Sequence, residues 1–151
     1  MSLISQGKHL ETAILKSDKT PLHLLLSKAE SIKSQAIKQS LLNLIPKMTT
    51  QLSQCNQQDK NGITPLMLST YLATKSFNSV LKCGKKSIHL QDIDGDNILR
   101  YAVSENNVNI VKILLEQGAD AHIKNKSGYS SLDYARFNKH KEIEKILQSG
   151  F

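Results

Sequence analysis

Three aspartates alternate through Asp92-Ile93-Asp94-Gly95-Asp96-Asn97, and closely spaced carboxylates of this kind are what a loop uses to wrap calcium. An EF-hand loop also needs glycine at its sixth position and glutamate at its twelfth. Counted from Asp92, those places hold Asn97 and Val103, so the stretch reads as an acidic turn tip. The five histidines, His9, His23, His89, His122 and His140, show no paired spacing suited to zinc. Cys55 and Cys83 are too few for a disulfide scaffold and too far apart for a zinc knuckle, so a reducing compartment is the simple expectation. Neither has a neighbour that marks it as a nucleophile. No Gly-rich phosphate loop is present, and the Ser, His and Asp residues form no triad pattern. The expectation is no catalytic residue, no metal and no cofactor.

Composition narrows the classes further. The chain has 151 residues, enough for one domain with a core, and 39% are hydrophobic. No apolar run reaches the roughly 18 residues of a membrane span. The start, "MSLISQGKHLETAILK", lacks the basic-then-apolar order of a secretory signal. A net charge of +7 raises nucleic acid or acidic membranes as partners. Yet the lysines are scattered, arginine occurs only as Arg100 and Arg136, and Trp is absent. Such a chain is poorly supplied with phosphate forks and base-stacking platforms.

The elements that carry these residues repeat. Gly62, Gly95 and Gly128 recur at a constant 33-residue step, and Leu66, Leu99 and Leu132 keep it too. Asp59-Lys-Asn-Gly62, Asp92-Ile-Asp-Gly95 and Asn125-Lys-Ser-Gly128 align without gaps. Thr20-Pro21-Leu22 precedes Thr64-Pro65-Leu66 by a longer, 44-residue step, so an earlier copy carries an 11-residue insertion. Each glycine predicts a tight turn with positive φ; Asp18 takes that place in the first copy. Thr20 and Thr64 precede a proline, as a helix cap does. A short helix is predicted over Pro65–Thr74 and an apolar-faced one over Val108–Gln117, ended by Gly118. The first copy's extra length divides about equally: half lengthens its helix pair, and half enters a polar loop, Lys47–Gln58, either mobile or a binding element.

"TPLHLL" (Thr20–Leu25), "NGITPLMLS" (Asn61–Ser69) and "VNIVKILLEQGADAHIKNKSGYSSLDYA" (Val108–Ala135) together resemble the ankyrin repeat. The resemblance covers roughly Lys16 to Gly150. It implies an all-α fold, an ankyrin-like solenoid of helix-turn-helix repeats with short β-turn tips. The single domain 1–151 would then comprise an N-terminal capping helix 1–15 and a first repeat 16–58 with the insertion. Repeats 59–91 and 92–124 and a C-terminal capping repeat 125–151 would follow. Leu3, Leu10 and Ile14 would face inward from the first cap, and Ile143, Ile146 and Leu147 from the last, with Lys139, Lys141, Glu142, Glu144 and Lys145 outside. His23 alone keeps the family histidine that ties neighbouring repeats. Where the family has Thr-Pro-Leu-His, the later copies read Asn97-Ile98-Leu99-Arg100 and Ser130-Ser131-Leu132-Asp133, so weaker helix caps are expected there.

In such stacks the turn tips and inner helices line a concave groove. Carried over position by position, Ile63, Tyr71, Leu72, Asp94, Asp96, Glu105, Tyr129 and Phe137 become the expected partner-binding residues. The apolar ones stand where the repeat's own core does not need them, and aromatics are enriched at binding hot spots. The resemblance therefore implies protein–protein recognition by a cytoplasmic monomer with no enzymatic role. One alternative is an effector or adaptor that a bacterium delivers into a host cytoplasm, since isolated ankyrin chains occur among such proteins. The other is a nucleic-acid or acidic-membrane binder, motivated by the charge. Lys82, Lys85, Lys86 and Lys124 would then share one face.

Overall fold

The computed structural model describes residues 18–51, 55–72 and 74–149. In those residues lie α1 (Pro21–Ser31), α2 (Gln35–Leu42), α3 (Ile45–Gln51), α4 (Pro65–Leu68), α5 (Thr74–Gly84), α6 (Ile98–Ser104), α7 (Val108–Glu116), α8 (Ser131–Phe137) and α9 (Lys141–Ser149). Short 3-10 segments extend α4 over Ser69–Tyr71 and α5 over Lys85–His89. The expected first helix, with Leu3, Leu10 and Ile14, lies outside the described residues.

Side chains start the helices. Thr20 Oγ1 accepts from His23 N at 3.3 Å, and Thr64 Oγ1 from Met67 N at 3.1 Å, each just before a proline. The weaker caps expected for the later copies are not found. Asn97 Oδ1 accepts from Arg100 N at 3.1 Å. Ser130 Oγ accepts from Asp133 N at 3.2 Å, while Asp133 Oδ2 takes Ser130 N at 2.9 Å, closing a capping box. Asparagine and serine replace Thr-Pro because any short side-chain oxygen can reach the free N–H of the third helical residue. The ends are also built locally. Ala119 N reaches Leu114 O and Gly118 N reaches Leu115 O, both at 2.9 Å, with Gly118 at φ +86°.

Helices α1, α4, α6 and α8 pack successively as an inner row, and α3, α5, α7 and α9 as an outer row. Leu22, Leu66, Leu99, Phe77, Leu114 and Ile143 are fully buried between them. Ser69, Ala102 and Ala135, each one repeat step from the last, are also buried, and their small size lets inner helices approach. In α9, Ile143 and Leu147 are buried and Ile146 packs beside them, as their spacing predicts.

The insertion is not where the sequence suggested. Helix α3 takes the outer position, and its start at Ile45 is far along the chain from the start of α1 at Pro21. In the third copy the outer helix α7 starts at Val108, soon after its inner partner α6 starts at Ile98. The extra chain therefore enters between inner and outer helices and forms α2, none of whose residues is buried. Residues 47–51 are helical rather than looped, and α3 is anchored by buried Ile45. At the end of the supposed loop, Gln58 Nε2 donates to Gly62 O at 2.7 Å and to Gln91 O at 2.8 Å.

The turn tips join edge to edge. Asp59 Oδ1 accepts from Asn61 N and Ile63 N, Asp92 Oδ1 from Asp94 N and Asp96 N, and Asn125 Oδ1 from Ser127 N and Tyr129 N. Ile93 N then donates to Asn61 O at 2.8 Å, and Lys126 N to Asp94 O at 2.9 Å. Gly62 (φ +74°) and Gly95 (φ +81°) sit beneath the next tip; a Cβ there would lie 2.8 Å from Asp92 Cα and 3.0 Å from Lys126 N. A Cβ on Gly128 (φ +84°) would meet nothing within 4 Å among the described residues. Asp18 takes φ +51°, as its alignment with these glycines predicts.

His23 ties the first copy to the second. Its Nδ1 accepts from Thr20 N at 3.1 Å, which leaves the proton on Nε2, and Nε2 donates to Ile63 O at 2.8 Å. Burial, ahead of every other cause, pushes its pKa below the ordinary 6.5.

Cys55 and Cys83 form a disulfide with their Cα atoms 5.6 Å apart, a pairing the sequence reading, which pointed to a reducing compartment, did not predict. The sequence separation of 28 hid a spatial neighbourhood: Cys55 precedes the Asp59 tip, and Cys83 lies in the last turn of α5 beside it. Closing a loop of this length contributes about 3–4 kcal/mol in the chain-entropy picture.

Two outcomes follow for stability. Gly62→Ala, strained and blocked by backbone, is expected to cost about 2–4 kcal/mol, while Gly128→Ala, strained only, costs about 1–2 kcal/mol. Urea midpoints of the two variants give the comparison. The unfolded chain protonates His23 below about pH 6.5 and the folded chain resists it, so His23 favours the fold above that pH and this contribution is lost as pH falls. Between pH 7.5 and 5.5 the wild-type Tm should drop further than that of His23→Gln, as a pair of calorimetric scans would reveal.

Candidate protein-binding face

The last two tips and the ends of α6 and α8 converge on a cluster of rings. Tyr134 and Phe137, at i and i+3 on α8, share one helix face, and Tyr129 leans over from the tip. Tyr129 and Phe137 meet edge to face with centroids 5.3 Å apart; Tyr134 lies 6.2 Å from Tyr129 and 6.5 Å from Phe137. The Arg100 guanidinium, from the preceding inner helix, stacks 3.2 Å above the Tyr134 ring and also bonds Ser104 Oγ. Asn125 Nδ2 bridges Asp96 Oδ1 at 2.8 Å and Tyr134 Oη at 3.4 Å. The cluster is thus braced from below, yet Phe137 is 64% exposed and Tyr129 44%. Ile93, on the neighbouring tip, is 55% exposed.

Beside the rings is an open hollow lined by Asp92, Asp94, Asp96, Arg100, Tyr101 and Ser104. Its carboxylates are largely engaged by protein. Asp92 Oδ2 accepts from Tyr101 Oη at 2.6 Å, while Oδ1 holds the tip. Burial, with the Asp92 carboxylate next, drives the Tyr101 phenol far above its usual range, so it remains a donor. Asp94 is exposed, and Asp96 is half-buried and 3.9 Å from Arg100. Among the described residues, no group of three or more His, Cys, Asp or Glu side chains is placed to hold a metal ion. No described helix is long and apolar enough to cross a membrane.

Not every expected contact residue faces outward. Leu72 is only 2% exposed and belongs to the core, which corrects its placement on the open stripe. Ile63 is half-buried against the core and spends its carbonyl on His23. Tyr71 is half-buried, and its hydroxyl donates to Leu26 O at 2.6 Å. Lys38, from the inserted α2, stands 5.4 Å over its ring. Burial first, then Glu30 and Glu105, raises the Tyr71 phenol to about 12. Glu105 is exposed near it. The structure therefore gathers Tyr129, Phe137, Asp94 and Asp96 near one another, and assigns Ile63, Tyr71 and Leu72 to joints between copies. Sequence reasoning missed Tyr134 and Arg100. The signal was present: Tyr134 falls one turn before Phe137 and one 33-residue step after Tyr101. Of the lysines in the charge hypothesis, Lys82 and Lys85 line a groove with Leu81 and Ile113, and the backbone of Lys124 pairs with that of Ser130 at the base of the last tip.

Stacked helix pairs joined through their turn tips define a repeat solenoid, a class in which each unit buries its apolar face only against its neighbours. The family model for ankyrin repeats (3 copies) matches residues 33–125 and 71–150, and the chain belongs to the ankyrin-repeat family. It is 35% identical to the palmitoyltransferase ZDHHC13 of Homo sapiens over 96 residues, which are 62% of this chain but 15% of that protein. It is 28% identical to human Rabankyrin-5 over 102 residues, 67% of this chain and 9% of the relative. Against the human Notch-regulated ankyrin repeat-containing protein it is 36% identical over 50 residues, 33% of this chain and 44% of the relative. Each similarity spans less than half of the relative. Ankyrin repeats are in general protein–protein interaction modules.

Tyr71 and Phe137 occupy equivalent positions, yet their variants should differ. Tyr71→Phe removes the bond to Leu26 O and should cost about 1 kcal/mol. Phe137→Ala, at an exposed ring, should stay within about 0.5 kcal/mol of wild type. Equilibrium denaturation of the two proteins side by side tests the assignment of one to the fold and the other to the surface.

Proposed function

We propose that this chain is a non-catalytic module that binds another protein through the concave side of its stack, chiefly at the C-terminal half. The observation that carries the reading is the ring cluster: Phe137 and Tyr129 are exposed, rigidly supported by Tyr134 and Arg100, and unneeded by the core. Exposed aromatics held in place before binding lose little conformational freedom when a partner covers them. Ile93 extends the apolar area, and Asp94 and Glu105 supply an acidic rim. With arginine present only as Arg100 and Arg136 and no tryptophan, the chain has few phosphate forks and base-stacking platforms, which supports a protein partner over a polyanion. We place the chain in a cytoplasm, as a monomer.

A pull-down at low and high salt, followed by a titration with the purified partner, tests the proposal. Binding should persist at high salt, and Phe137→Ala and Tyr129→Ala should each weaken it about tenfold or more without moving the melt. Lys145→Ala, on the outer helix α9, should bind as wild type. Normal affinity in both aromatic variants would remove the concave face from consideration.

A further inference from the structure

Cys55 and Cys83 differ in access as well as in sequence position. Cys55 is 1% exposed. Cys83 is half-buried and borders an open groove between α3 and α5, lined also by Pro46, Thr49, Ser79 and the exposed Lys82. The place is shaped by more than the bond itself. Asn56 Nδ2 donates to Cys83 O at 3.2 Å. Gly84 lets the chain approach so closely that a Cβ there would stand 3.3 Å from Cys55 O. The Asn56–Cys83 bond and this close approach hold the two segments together beside the disulfide. The bond they form encloses the whole tip at Asp59 and the α4–α5 pair, and it fastens the chain after α3 to the end of α5.

We propose that Cys55 and Cys83 are a reversible thiol–disulfide couple that exchanges with small anionic thiols, of which glutathione is the probe, by entry at Cys83 through the groove beside Lys82. In the reducing direction, a small-molecule thiolate attacks Cys83 Sγ. A new disulfide forms between the two, the Cys55–Cys83 bond breaks, and its electron pair leaves on Cys55 Sγ, which takes a proton from water. A second small thiolate attacks the small-molecule sulfur of the mixed disulfide and releases Cys83 as a thiolate. The sum is one protein disulfide reduced and two small thiols oxidised to their disulfide; the reverse direction uses that small disulfide as oxidant. Lys82 favours approach of an anionic thiol from its side of the groove, and burial shields Cys55 from direct attack. Reduction unfastens the α1–α3 end of the stack from the next helix pair while leaving the ring cluster in place. The couple is independent of the proposed binding face.

The test uses the full chain, purified without reductant and held in buffers of set glutathione to glutathione-disulfide ratio. Acid quenching, alkylation and intact mass then count thiols. A single two-electron transition is expected, both cysteines changing together, with the Tm of the dithiol form lower by about 10 °C. Mixed disulfide trapped during reduction should map to Cys83. In the separate variants, Cys55→Ser should take up glutathione at its remaining cysteine at least about tenfold faster than Cys83→Ser does. Lys82→Glu should slow reduction by glutathione about threefold and leave reduction by uncharged 2-mercaptoethanol unchanged. A dithiol that persists in pure glutathione disulfide overturns the couple, and mixed disulfide trapped on Cys55 overturns the direction of entry. Equal slowing of both reductants in Lys82→Glu overturns the role of its charge. Because trapping is read on the wild-type chain, misfolding of a serine variant leaves the proposal open to refutation.

Discussion

The backbone bonds between successive tips, Ile93 N to Asn61 O and Lys126 N to Asp94 O, set the spacing on which the stack depends. A tip can donate to the one before it only if nothing stands between their backbones. Gly62 and Gly95 meet that condition twice over, through positive φ and the missing Cβ. The Asx turns of Asp59, Asp92 and Asn125 hold each tip in the shape that presents its N–H to the next. Gln58 and Gln91, one repeat step apart, add side-chain bonds across the same seams. With the tips locked at a fixed separation, the helix pairs behind them meet at a distance where Ser69, Ala102 and Ala135 must be small.

Polar side chains carry the same coupling into the helices. His23 joins Thr20 to Ile63, and Asn97 Nδ2 reaches Asp120 O while its Oδ1 accepts from Ser131 Oγ. Asn107 caps α7 and also donates to Thr70 O of the copy before. Each of these groups satisfies a local need of its own helix and also bonds a neighbouring copy. A buried polar group left half-satisfied is costly, so these residues specify which copy lies beside which.

The stack is consequently regular where tips meet and irregular at one end. Helix α2 interrupts the first copy between its inner and outer helices, and its Lys38 reaches the Tyr71 ring. The disulfide lies at the same end, between α3 and α5. The other end carries the open ring cluster. A gradient from covered to uncovered rings therefore runs along the stack, and it separates the fastened end from the proposed binding end.

The 33-residue step, the glycine tips, the buried leucines and the existence of helix starts were determined by sequence alone, because each is a local demand of backbone geometry. Even the departures at Asn97 and Ser130 obey that logic, since capping chemistry rather than the family residue is what a helix start requires. The place of the insertion was not legible, because the sequence runs in a helical pattern up to Pro46 whichever helix is regarded as extra, and polar residues 47–51 read as a loop. Nor was the Cys55–Cys83 pairing, which depends on two segments at a sequence separation of 28 folding to a Cα distance of 5.6 Å. Tyr71 and Phe137 show the division most plainly. Sequence puts them at one position of the repeat and cannot tell them apart. Only the tertiary structure decides that Tyr71, with Leu26 O in reach and α2 above it, serves the fold, while Phe137, with no later inner helix among the described residues, stays open. Burial is a property of neighbours, and neighbours distant in sequence are not written into the residue itself.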